Sequence, residues 1–179
     1  MRFATAEKPT PSEVLSDVAP KFFFSPKRGG ARLESQSASL WEVQMQRQAE
    51  CVCGAVKVIA EGEPAAVVAC HCLACQRRSG SVMGVGAYWP EDKITVAGVT
   101  KQFARPTELG HVFTANFCPT CGTSLFWSSG RNPSAVGVAV GAFADPHFPA
   151  PVRSVWEQSK HGWVHVEPAQ QHFPKAREP

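Results

Sequence analysis

Three thiols fall within six residues in the stretch Cys70-His71-Cys72-Leu73-Ala74-Cys75. Thiols this close cannot all ionise unless a cation offsets their repulsion, so the stretch reads as a metal site. Soft sulfur donors at this spacing favour Zn²⁺, with iron the lesser fit. Three protein ligands leave a fourth corner for something else. An open corner separates a zinc that takes part in chemistry from one that only holds a fold. A fourth ligand from His71 or His111 would close that corner and make the site structural. His71 lies between two ligands, a position that turns its side chain away from the metal.

The remaining four cysteines form two pairs, Cys51-Val52-Cys53-Gly54 and Cys118-Pro119-Thr120-Cys121-Gly122. The second is a zinc knuckle. Pro119 fixes φ, and Gly122 permits the tight turn that aims amide N–H groups at the sulfurs. Together Cys51, Cys53, Cys118 and Cys121 supply four thiolates and complete a closed, structural site. Its metal-binding free energy is folding free energy, on the order of 10 kcal/mol. All seven cysteines are then used. An odd number of thiols, no export signal, and the strain of pairing Cys51 with Cys53 all argue against a disulfide framework.

After the third thiol comes Gln76-Arg77-Arg78-Ser79-Gly80-Ser81. Arg77, Arg78 and Ser79 are candidate binding residues for the carboxylates of an anionic substrate. The alternative is a pair of solvated surface charges. Glu108 and His111 are candidates for a general acid. Trp89, Trp127, Trp156 and Trp163 are assigned to packing rather than to substrate platforms. His161 and His165 are placed at the surface.

The elements that must position these residues are short strands. Val56, Val58 and Ala60 alternate with Lys57 and Glu61, and Gly62 to Pro64 turns the chain into a return strand over 65–70. Further strands are expected over 82–89, 93–96, 100–104, 112–117, 125–127, 135–143 and 152–156. Gly84 and Gly86 inside one of them point to the close approach of a ligand or another backbone. No amphipathic helix of ten or more residues is apparent. The fold class is therefore all-β. Residues 1–44 keep neither period and are expected to be a disordered extension, with a short helix over 12–18 and a docking segment over 22–24 as sharper alternatives. Met45 is a plausible true start, and the two-zinc domain is expected over 45–175.

A hydrophobic content of 44% suits a globular core, and a net charge of +3 without any basic block leaves no nucleic-acid footprint. No apolar run approaches the ~18 residues of a membrane span. A cytoplasmic protein is expected.

Three motifs in order now resemble one family. They are Cys51-Val52-Cys53-Gly54-Ala55-Val56, then the run from Cys70 to Ser81, then Phe117-Cys118-Pro119-Thr120-Cys121-Gly122-Thr123. The chain is similar to the glutathione-dependent formaldehyde-activating enzymes, a family that includes the centromere protein V relatives. The resemblance covers residues 46–174 and extends to Trp156, Trp163 and Val164. It departs from the family at Ala49-Glu50, where members often carry glycine. It implies a zinc-stabilised β-tent of short antiparallel strands and two Zn²⁺ per chain. Cys51, Cys53, Cys118 and Cys121 match the structural ligands. Cys70, Cys72 and Cys75 match the second, substrate-facing zinc. It implies carbon–sulfur lyase-type chemistry, the joining of formaldehyde to glutathione as S-hydroxymethylglutathione, with glutathione as the partner. The rival expectation is a non-catalytic zinc-binding module that carries a thiol or docks a protein; a chromatin-associated relative is the third.

Overall fold

Alternation decides which side of each strand is buried, and the apolar sets meet as two facing sheets. The computed structural model describes residues 45–167 and 169–177. The expectations placed on residues 1–44 lie outside them. In chain order the elements are β1 (Gln46–Glu50), β2 (Lys57–Glu61), β3 (Ala66–Cys70), α1 (Leu73–Ser79), β4 (Gly84–Pro90), β5 (Ile94–Ala97), β6 (Lys101–Pro106), β7 (Val112–Phe117), β8 (Ser124–Ser129), β9 (Asn132–Ala139), β10 (Arg153–Val155) and β11 (Gln171–His172).

One sheet has the order β1-β2-β5 and the other the order β11-β10-β3-β4-β9-β8-β7-β6. Neighbours run antiparallel except at β10, which is parallel to both β3 and β11. The fold is β-rich, as expected, with that one departure from an all-antiparallel plan. Ala49, Val58 and Ala60 from the small sheet join Val67, Ala87, Trp89, Val136 and Val138 from the large one in a single core. The Trp89 ring meets Phe143 and Phe148, and its Nε1–H donates to Gly62 O at 3.1 Å. A second, smaller core forms where Val164, Val166 and Ala169 pack on Ala69.

The strand expected over 135–143 starts earlier and ends at Ala139, after which Val140–Phe143 is a 3₁₀ turn. That turn swings Phe143 onto Trp89. β1 carries no sequence alternation. Only Ala49 of its five residues is buried, and the strand is held by pairing to β2.

The other face of the large sheet carries the chemistry. Cys70 pairs with Gly84, Gly86 with Ala139, Tyr88 with Gly137, and Gly137 with Trp127. Paired residues point the same way, so one surface runs from Cys70 over two glycines to Tyr88 and Trp127. The register slips between Asn116 and Phe117, which leaves Leu125 without a partner. Leu125 turns into the core, and Ser124 faces the same side as Phe117.

Candidate metal centre

Cys51 and Cys53 follow β1, and Cys118 and Cys121 lie in the turn between β7 and β8. The four sulfurs lie within 4.8 Å of one another. Cys51 Sγ and Cys53 Sγ are 3.5 Å apart, and Cys53 Sγ and Cys118 Sγ 3.6 Å. Sulfurs at tetrahedral corners about 2.3 Å from a zinc ion are about 3.8 Å apart, so the set fits that ion. Two cysteines are buried and two exposed. Val56 N–H donates to Cys51 Sγ at 3.2 Å, and the Val52 amide donates to Thr123 Oγ1, which ties the two turns together.

Cys70 ends β3, Cys72 caps the N-terminus of α1, and Cys75 lies in its first turn. Their sulfurs also lie within 4.8 Å of one another, and among the described residues no His, Asp or Glu joins them. Cys75 N–H donates to Cys72 Sγ, and Gly80 closes the helix with φ of +66°. The helix has seven residues, too few to leave a period in the sequence.

The thiols of each cluster perturb one another's ionisation. Hydrogen bonds from Cys70 and Cys75, joined by amides of α1, pull Cys72 down to about 2. Cys72 and Cys75, with burial, push the Cys70 thiol far up. In the other cluster the Thr123 hydroxyl and amide, with further help from Cys53, pull Cys121 down to about 5. The Ala55 amide favours the thiolate of Cys53, but Cys121 and Cys51 oppose it and push Cys53 up to about 12. The neighbouring thiols thus favour the thiolate at Cys72 in one cluster and at Cys51 and Cys121 in the other, and resist it at Cys70 and Cys53. A divalent cation removes that resistance, and an all-thiolate set is the donor chemistry zinc prefers.

The sequence candidates separate on the helix. Arg77 is exposed, whereas Arg78 is partly buried. The Arg78 guanidinium lies over the Trp127 ring at 4.2 Å, and Nη1 donates to Ser124 Oγ at 3.1 Å. Cys70 and the Arg78 charge favour the Cys75 thiolate, but Cys72 and burial outweigh them and push that thiol up. A Cβ at Gly84 would lie 2.9 Å from Arg78 Nη2 and 3.3 Å from Cys75 Cβ. Gly86 and Gly137 likewise make room for Trp127, whose ring atoms would lie 2.4 Å from a Cβ at either position. The strand glycines are expected to admit a ligand or another backbone; what approaches them is instead the side chains of Arg78 and Trp127. Ser79 spends its hydroxyl on the carbonyls of Cys75, Gln76 and Met83 and so shapes the helix end.

Glu108 and His111 belong to the exposed turn joining β6 to β7. That turn is at the opposite end of the sheet from Cys70 and Cys118, and it does not bring either residue to a cluster. His71 is fully buried, and its Nε2 faces Ser154 Oγ at 3.1 Å, away from the sulfurs. His161 is exposed, as expected; its Nε2 lies 3.2 Å from Gln76 Oε1 and its ring meets Trp163, which is 70% exposed. Trp89 and Trp127 are packed, as expected. Tyr88, Ser124, Ser154 and Glu157 carry no sequence signal, since each joins the site through pairings distant in the chain. Burial pushes the Tyr88 phenol up to about 12 and keeps it protonated. A cavity of about 590 Å³ opens beside Gln158, Phe173 and Lys175. It holds no thiol and is separate from both clusters.

Known proteins bear on this geometry in three ways. No curated protein matches the chain. A solved structure of a Rhodobacter sphaeroides protein is similar at 20% identity, covering 70% of this chain and 98% of its own, with a TM-score of 0.45. Residues 46–159 match the family described as glutathione-dependent formaldehyde-activating enzyme, a span that holds all seven cysteines and most of both sheets. By that match the chain belongs to the glutathione-dependent formaldehyde-activating enzyme family.

Proposed function

We propose that this chain is a two-zinc enzyme of the carbon–sulfur lyase type that joins a thiol, glutathione, to formaldehyde. The observation that carries the proposal is the three-sulfur cluster of Cys70, Cys72 and Cys75, with the nearby imidazole of His71 committed elsewhere. Family membership supports the thiol and the aldehyde. In this reading Cys51, Cys53, Cys118 and Cys121 hold a structural zinc. Cys70, Cys72 and Cys75 would hold the second zinc, which would lower the pKa of an incoming thiol so that thiolate is present at neutral pH.

The chain's own residues do the rest. Arg78 stands beside Cys75 on the cluster's face of the sheet and offers N–H donors to a carboxylate of the bound thiol. Trp127 and Tyr88 exclude water from that face, and their edge-to-face contact fixes both rings. The reaction forms one carbon–sulfur bond. The sulfur pair attacks the carbonyl carbon, the C=O π pair moves to oxygen, and that oxygen takes a proton to give the S-hydroxymethyl product. Holding both reactants together is the main catalytic gain.

Thiol binding should release a proton, because the metal takes thiolate, and it should weaken as pH falls. Calorimetry on zinc-loaded protein in two buffers of different ionisation enthalpy measures both affinity and proton release. No binding of any thiol to protein carrying two zinc ions would reject the enzyme.

A further inference from the structure

The peptide that carries two of the three sulfurs is gripped from the far end of the chain. His71 N–H donates to Val155 O at 3.0 Å. Its carbonyl accepts from Gln76 Nε2 at 2.7 Å and from Ser159 Oγ at 3.0 Å. Its imidazole reaches Ser154 Oγ, and Ser154 Oγ donates to Glu157 Oε1 at 2.6 Å. The serine has one hydrogen and the carboxylate takes it, so the bond to His71 must be donated by Nε2–H. Nδ1 makes no hydrogen bond among the described residues, and beside the Val82 backbone near the ring the Ser154–Glu157 chain is what aims it.

Glu157 is itself held in place. Lys160 Nζ lies 3.2 Å and His172 Nδ1 2.8 Å from the same Oε1. Trp156 adopts a left-handed backbone with φ of +60°, a costly conformation for a bulky residue. That turn folds Glu157 back under Ser154. A surface ion pair would need neither the strain nor the buried serine.

We infer that Ser154 and Glu157 are positioning residues of the three-cysteine metal site: through His71 they fix the spread of Cys70 and Cys72 and keep the imidazole from becoming the fourth ligand. The inference rests on the metal reading of that cluster and not on thiol or aldehyde chemistry.

The test uses the full chain loaded with cadmium and observed by cadmium NMR, which gives one resonance per site; Cys72→Ala assigns them. Ser154→Ala and Glu157→Ala should shift and broaden the resonance of the three-cysteine site. They should also lower its cadmium affinity about tenfold, the low end of what outer-shell losses cost. The four-cysteine resonance should stay where it is. Glu157→Gln keeps an acceptor oxygen and should restore both values, and Lys160→Ala, which leaves the chain to His71 intact, should change neither. Unchanged resonance and affinity in Ser154→Ala and Glu157→Ala would overturn the inference. So would loss of both resonances in both variants, since the chain would then hold the fold and not the cluster. No thiol is added, so either result leaves the proposed enzyme to stand or fall on its own test.

Discussion

Arg78 has five N–H donors, and one is spent on Ser124. Its Nε is buried with no partner among the described residues, while Arg77, one residue earlier, points to solvent. Helical phase alone makes one arginine part of the site face and the other part of the surface. Charge-assisted hydrogen bonds contribute about 1.5–3 kcal/mol. Arg78→Met should therefore weaken glutathione binding about tenfold or more, and Arg77→Met should leave it within about twofold. Titration of both variants by calorimetry checks this, and equal losses would place the two arginines in one diffuse field. Glu157 permits a second test at this scale. Burial raises its pKa, but hydrogen bonds from His172, Ser154 and Lys160 outweigh it and hold the carboxyl at about 2, against 4.5 for the free group. A depressed carboxyl stabilises the fold fully above its unfolded pKa and loses that contribution as pH falls through the folded value. The stability difference between the parent and Glu157→Gln in urea unfolding should stay flat from pH 8 to about 5 and begin to shrink only below about 4.5. A difference that already shrinks between pH 8 and 6 would rule out the Glu157 carboxyl as its source.

The two clusters differ in what they join. Cys51 and Cys53 follow a strand of the small sheet, and Cys118 and Cys121 lie between two strands of the large one. Metal there would staple one sheet to the other, with binding free energy on the order of 10 kcal/mol against a typical domain stability of about 5–15. Cys70, Cys72 and Cys75 belong to one strand end and one helix turn, so metal there closes a short loop. Cys118→Ala should abolish the cooperative thermal transition, while Cys72→Ala should keep it with one metal ion fewer. Circular dichroism and metal analysis together decide, and equal loss in both variants would erase the division. Both clusters could be read from the sequence because their ligands come in local pairs and triplets. β2, β3 and β7 could be read for a similar reason, since alternation is also local. β1 could not, because a strand with one buried residue is defined by its partner, and α1 could not, because seven residues are too few to show a period.

At the scale of the whole molecule, what escaped the sequence is what the chain assembles across distance. The parallel pairing of β10 with β3 is one case. The contact of His71 with Ser154, 83 residues away, is another, and neither residue announces the other by type or spacing. That separation sets an order of events during synthesis. Every ligand of the four-cysteine cluster has left the ribosome once Cys121 emerges. The three-cysteine cluster lies earlier in the chain, yet its frame is incomplete until Ser159 follows. Nascent chains fold from their N-terminal parts as they appear. The staple between the sheets should therefore capture metal first, and the site proposed for chemistry should ripen last. Chains arrested on ribosomes late enough to expose Cys121 but not Ser154 should show protected Cys118 and Cys121 but alkylatable Cys72 in zinc-containing lysate. Chains arrested late enough to expose the whole domain should protect all three. Early protection of Cys72 would mean that the loop shapes itself. If the order holds, a chain cut short inside its last strands would still look folded and still carry zinc, while lacking the site it was made for.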